Sequence, residues 1–191
     1  MDRRELLKMI VAATGAAMVG LPALVQGQAP AGATKIHFSD TDVATLDEIA
    51  ETILPRTRTP GAKDAGAGLF MATFVTDCYT ARQQATFRAG LTDIDKRASG
   101  RFVSLTPEAR TELLRTLDAE AKARHADVTE TGTPEEGEAM PHYFTMLKQL
   151  AIFGFFTSKV GATGVLQYVA VPGRYDGDLA YVPGTPAWGT S

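Results

Sequence analysis

The sequence predicts an all-α protein: a single small domain of about five helices with an extended, irregular C-terminal tail. Three observations carry this. Apolar residues recur at helical spacing in five successive stretches. Capping residues and prolines stand where those stretches should begin and end. The periodicity then stops, and residues 168–191 are broken by Pro172, Pro183 and Pro186 at intervals that forbid a long helix.

The first helix begins at Ser39, a good N-cap with Asp42 three residues on, and carries Val43, Leu46, Ile49, Ala50 and Ile53. It stops near Leu54, because Pro55 disfavours helical geometry in the residue before it. A loop bounded by Pro55 and Pro60 follows. Leu69, Phe70, Phe74 and Val75 mark a second helix, and Phe87, Leu91 and Ile94 a third. Thr106-Pro107-Glu108 opens a fourth, with a capping Thr and Pro at the first helical position, followed by Leu113, Leu114, Leu117 and Ala121. The acidic, Gly- and Pro-containing stretch 126–139 reads as a solvated loop.

The fifth helix, from Pro141 to about Thr157, is apolar on every side. Phe144, Leu147 and Ala151 share one face, Met146, Leu150 and Phe153 another, and Ile152 and Phe156 a third. Such a helix is either the centre of the core or is covered partly by its own domain and partly by a partner. The tail carries Tyr168, Tyr175, Tyr181 and Trp188. A free disordered tail is normally poor in aromatics, so this one is expected to lie extended over a surface, of its own domain or of a second chain, and to anchor there.

The N-terminus is a sorting signal. Arg3-Arg4-Glu5-Leu6-Leu7-Lys8 matches the twin-arginine export pattern, and residues 9–33 contain no Asp, Glu, Lys or Arg. The Ala, Gly and Thr content of that run makes a poor membrane span, and the small residues Ala31-Gly32-Ala33 suit a signal peptidase, as does cleavage after Gly27. The other reading is an uncleaved anchor helix. The expected organisation is therefore a signal at 1–33 and a helical domain at 34–191, exported to the periplasm by a translocase that moves folded proteins. Removing the signal takes away three basic and two acidic residues and shifts the net charge from -3 to -4. No basic stripe interleaved with aromatics exists, so nothing favours nucleic acid. Cys78 is the single cysteine. The favoured reading is a buried apolar thiol; the alternative is half of an intermolecular disulfide, which an oxidising compartment permits.

Chemistry-bearing patterns are missing from the sequence. His37, His125 and His142 are far apart, with no His or Cys companion at metal-ligand spacing. There is no Cys-x-x-Cys-His for haem and no Gly-x-Gly-x-x-Gly for a dinucleotide. The clusters Gly66-Ala67-Gly68 and Gly161-Ala162-Thr163-Gly164 read as turns and caps rather than phosphate cradles. Ser158 and Lys159 are adjacent, the wrong spacing for a Ser-x-x-Lys nucleophile. Asp93 and Asp95 fall on different sides of a helix and make a poor acid/base pair. Arg56 and Arg58 suit an anion, a solvated loop or a salt bridge to a carboxylate. No catalytic, cofactor-binding or metal-ligating residue is assigned to this chain.

Two blocks carry a resemblance. Ile53-Leu54-Pro55-Arg56-Thr57-Arg58-Thr59-Pro60-Gly61-Ala62-Lys63-Asp64-Ala65-Gly66 resembles the "ILPRTDTPGAxDAG" segment of the gluconate 2-dehydrogenase subunit 3 family. Phe155-Phe156-Thr157-Ser158-Lys159-Val160-Gly161-Ala162-Thr163, followed by Gln167-Tyr168-Val169-Ala170-Val171-Pro172-Gly173-Arg174-Tyr175, is similar to a later run of the same family. The resemblance implies the non-catalytic small subunit of a membrane-associated dehydrogenase for sugars, sugar acids or alcohols. Its partner would be an FAD-containing large subunit of the glucose-methanol-choline oxidoreductase type, with haem c in a third, cytochrome subunit. The small subunit would carry the twin-arginine signal for both and support folding and flavin loading. Family members commonly have a Cys after the Pro-Gly-Arg-Tyr segment; here Asp176-Gly177-Asp178-Leu179 holds none, which leaves Cys78 for any bridge between subunits. The expected partner contacts are Arg56, Phe155, Phe156, Arg174, Tyr175 and Trp188. The other classes are a stand-alone exported enzyme, for which no nucleophile or metal site is found, and an independent envelope-binding module.

Overall fold

The computed structural model describes residues 37–130, 140–171, 173, 177–178, 180 and 182–189. The twin-arginine residues Arg3, Arg4, Leu6, Leu7 and Lys8 lie outside them, as do Arg174 and Tyr175. The described residues form six α-helices and two short 3-10 turns, with no sheet.

Helix α1 is Asp40–Ile53. Ser39 caps it as its sequence required: its Oγ accepts from the Asp42 amide at 3.2 Å, and its own amide donates to Asp42 Oδ2 at 2.9 Å. Helix α2 is Ala67–Cys78. Helix α3, Ala81–Arg97, begins with a second such box between Thr80 and Gln83. A further tie joins α2 to α3: the buried Gln84 amide donates to the carbonyls of Val75, Thr76 and Tyr79 at 3.0–3.1 Å, satisfying acceptors that α2 leaves open at its C-terminal end.

Helix α4 is Pro107–Glu130. It runs through 126–130, which the sequence reading gave to a loop. No Gly or Pro occurs before Gly132, so nothing local stops the helix there, and acidity alone does not. Helix α5 is Tyr143–Thr157, capped by the His142 ring, whose Nδ1 accepts from the Phe144 amide at 3.2 Å. A sharp corner leads to α6, Lys159–Gly164, capped by Ser158 Oγ, which accepts from the Gly161 amide at 3.0 Å. The glycines read as a turn are thus inside a helix. Gly161 is needed there because a Cβ would lie 2.1 Å from the Phe155 carbonyl oxygen.

Helix α5 packs against all five others and is the axis of the domain. Phe144, Leu147, Leu150, Ala151 and Phe155 from α5 meet Leu46 and Ile49 of α1, Met71 and Val75 of α2, Phe87 and Ile94 of α3, and Leu117 of α4 in one core. Each fully buried Leu, Ile or Phe in it contributes about 1.5–3 kcal/mol. A polar junction clamps α3, α4 and α5. Tyr143 Oη donates to Asp93 Oδ2 at 2.5 Å, and Arg97 bonds Asp93 at 2.7 Å and both oxygens of Glu120 at 2.6 and 3.0 Å. The Tyr143 hydroxyl and Arg97 hold the Asp93 carboxyl below the usual carboxylate range, and burial with the Asp93 bond raises the Tyr143 phenol.

Candidate docking surface

The block 53–66 runs from the last residue of α1 through a loop to a 3-10 turn, and is closed by its own backbone and by carboxylates of α1. Its two ends meet where the Ala62 amide donates to the Leu54 carbonyl at 2.9 Å. Glu51, on the last turn of α1, accepts from the Arg56 amide with one carboxylate oxygen at 2.8 Å and from the Lys63 amide with the other at 2.9 Å. Asp64 accepts from the Gly61 amide at 2.9 Å and pairs with the Arg56 guanidinium. Glu48 pairs with both Lys63 and Arg110. Asp47 accepts from the Gly68 amide at 2.8 Å, placing a carboxylate at the positive end of α2. Gly61 is indispensable for this closure, because its Cβ would stand 2.6 Å from the Arg56 backbone nitrogen and 2.4 Å from Glu51 Oε1.

The two blocks that carry the family resemblance meet in space. Helix α6 packs on the 3-10 turn Lys63–Ala65. Between them lies an open depression of about 330 Å³, lined by the loop from Arg56 to Pro60, by Asp64 and by Val160 of α6.

A second open feature is apolar. Phe70 and Phe74 of α2 stack with Phe153 of α5, with ring centres 5.6 and 5.8 Å apart. Beside them Phe153 is 48% exposed and Leu69 64%. Ile152 is also exposed. The all-round apolar helix α5 is therefore the axis of the core and still leaves one strip near its C-terminal end uncovered. Leu69, one of the apolar residues that mark the second helix, faces outward.

Several expected contacts fall differently. Arg56 is exposed and ion-paired to Asp64, the salt-bridge reading of the Arg56/Arg58 alternatives. Phe155 is 3% exposed and belongs to the core, so it is not available to a partner; Phe156 beside it is half-buried. Consecutive helical residues point about 100° apart, so a Phe-Phe pair cannot face one way. Trp188 is half-exposed. Cys78 is exposed, which overturns the buried-thiol reading. Tyr175 and Tyr181 lie outside the described residues; among those described the tail is held through backbone, where Gln167 and Trp188 form a parallel bridge, with Gln167 N donating to Ala187 O and Gly189 N to Gln167 O, both at 2.8 Å. Glu51, Asp47 and Gln84 escaped the sequence reading. Their bonds reach backbone groups 5 to 21 residues away, and no local pattern marks them.

Among the described residues no three His, Cys, Asp or Glu side chains converge as a metal group would require, and no helix is long and apolar enough to cross a membrane. Asp93 faces Tyr143 and Arg97, whereas Asp95 accepts from the Phe102 amide at 2.9 Å, so the two carboxylates serve separate structural bonds. Ser158 is a helix cap. The described residues form a helical domain with two open features, a depression lined by Arg56 and Arg58 and exposed apolar side chains on α2 and α5. The model of the family described as gluconate 2-dehydrogenase subunit 3 matches residues 40–173, and the chain belongs to that family. No curated protein and no solved structure matches it.

Proposed function

We propose that this chain is the non-catalytic small subunit of a periplasmic, membrane-associated, FAD-dependent dehydrogenase of sugars, sugar acids or alcohols. It escorts a glucose-methanol-choline-type flavoprotein through twin-arginine export and supports its folding. The observation that carries this reading is the family match over 40–173 directly behind the Arg3-Arg4-Glu5-Leu6-Leu7-Lys8 head. The exposed apolar side chains Leu69, Ile152 and Phe153 support it, since exposed apolar surface favours protein contact. FAD belongs to the large subunit in this reading, and haem c to a membrane-bound cytochrome c subunit that passes electrons onward. Substrate specificity then resides outside this chain.

The test is co-expression with a flavoprotein subunit that has no export signal of its own, with and without Arg3→Lys/Arg4→Lys. A flavin-loaded complex in the periplasmic fraction, with the flavoprotein retained in the cytoplasm when the arginines are replaced, is the expected result. A flavoprotein that exports and loads FAD without this chain overturns the reading.

A further inference from the structure

The depression between the loop and α6 has a charge imbalance that the domain does not resolve. Every nearby carboxylate is already engaged. Glu51 holds two backbone amides, Asp64 holds the Gly61 amide and Arg56, and Glu48 holds Lys63 and Arg110. Arg58 lines the depression, is exposed, and makes no ion pair with any described residue. Val160 of α6 forms the opposite, uncharged wall. A chain of net charge -3 therefore presents a locally cationic corner at the junction of its two family-like blocks.

We propose that this corner is a carboxylate socket: Arg58, beside Arg56, receives an acidic side chain of the flavoprotein subunit. The inference rests on the subunit reading above and names one of its contact points. Three features select this occupant. The guanidinium presents a planar fork of donors that matches a carboxylate. The depression is wide open, which suits a side chain offered by a second protein surface and does not enclose a free small anion. The backbone beneath Arg58 is pinned on both sides by Glu51 and Asp64, so docking orders little that is not already ordered.

The experiment uses the mature chain and the co-expressed flavoprotein, with affinity measured by calorimetry at low and high salt. Arg58→Glu is expected to weaken the complex by about ten-fold or more and to flatten its salt dependence, as loss of a charge pair at an interface does. Arg58→Lys keeps the charge but loses the fork, and should bind between the parent chain and Arg58→Glu. Arg115→Glu, the same charge change at an exposed position of α4, is the control and leaves affinity unchanged. Thermal melting of the isolated variants reports folding, and Arg58→Gln provides a milder variant if Arg58→Glu melts early. Should Arg58→Glu and Arg58→Gln bind with the affinity and salt dependence of Arg115→Glu, the socket is wrong and the subunit reading survives. Should the parent chain bind no flavoprotein at all, the subunit reading fails and takes the socket with it.

Discussion

Two irregular stretches of this domain look alike in composition and differ in how they are held. The loop 53–66 and the tail 167–189 are both punctuated by Pro and Gly. In the loop, side chains of α1 reach out to close it, and Ala62 at its inner end is fully buried. In the tail, the described residues are held by pairing around Gln167, including its side chain on the Pro186 carbonyl at 2.8 Å, and by a turn at Val182. Val171 in the tail is 80% exposed and Trp188 51%. Irregular backbone is as fixed as its donors and acceptors are matched. The loop is matched by charged groups from a helix, whereas the bonds named for the tail's described residues join the tail to itself.

The sharpest way to break this comparison is Gly61→Ala. The added methyl meets a backbone nitrogen and the clamping carboxylate together, so the loop must open and Glu51 must release its amides. Overpacking and lost charge-assisted bonds together cost about 3 kcal/mol. Urea unfolding of the mature chain should show this as a lower midpoint with an unchanged slope. A cost below about 1 kcal/mol would mean that the loop is no more fixed than the tail.

Glu51→Ala tests the clamp without adding bulk. It leaves two loop amides to water and should cost about 2 kcal/mol, less than Gly61→Ala because the site is partly solvated. Calorimetric melting of both single variants and the double variant checks the coupling. The double variant should cost less than the sum, since both changes release the same two bonds.

Local chemistry was legible in the sequence; long-range satisfaction was not. Ser39 with Asp42, and Thr106 with Pro107, set helix starts that the structure keeps, because a cap and its partner lie within one turn. The helical spacing also identified which residues share a face. It could not say which faces are covered, and so Phe155, expected at a partner, lies in the core. The roles of Glu51 and Asp47 follow only once the chain after α1 has folded back over it. Likewise α6 was hidden by Gly161 and Gly164, which carry no helical preference; Gly161 is required there by the close approach to the Phe155 carbonyl.

The α3–α4–α5 junction carries the groups whose titration is shifted on folding, and its acid response supplies the baseline for the other variants. His142 caps α5 with an unprotonated nitrogen, and burial first, then Arg124, lowers its pKa. Arg97 adds to that lowering, while Glu120 and Asp93 oppose it. A histidine with a folded pKa below its unfolded value of about 6.5 leaves stability unaffected above that pH. As pH falls below it, the unfolded chain takes up the proton first and stability declines until the folded group also titrates. Asp93, Asp118 and Glu120, all held below the carboxylate range by their partners, open a second, more acid window below about pH 4. His142→Asn keeps a capping acceptor that does not titrate, so denaturation at about pH 5.5 against about pH 7.5 should lose its difference in that variant. A difference that persists would place the acid sensitivity elsewhere.

The smallest effect belongs to the tail. Trp188→Ala removes the largest side chain near the Gln167 bridge but leaves the backbone bonds that make it, Gln167 N to Ala187 O and Gly189 N to Gln167 O. Its ring is half-exposed, so little apolar area returns to water on truncation. The change in stability of the isolated chain should stay within about 0.5 kcal/mol. If the tail's exposed side chains are reserved for the flavoprotein, the same variant should weaken the complex far more than it weakens the fold, because interface aromatics carry disproportionate binding energy. Unfolding of the free chain and affinity for the co-expressed subunit, measured on one preparation, separate the two. A large loss of stability in the free chain would make the tail a structural element like the loop, and the contrast between the two regions would not hold.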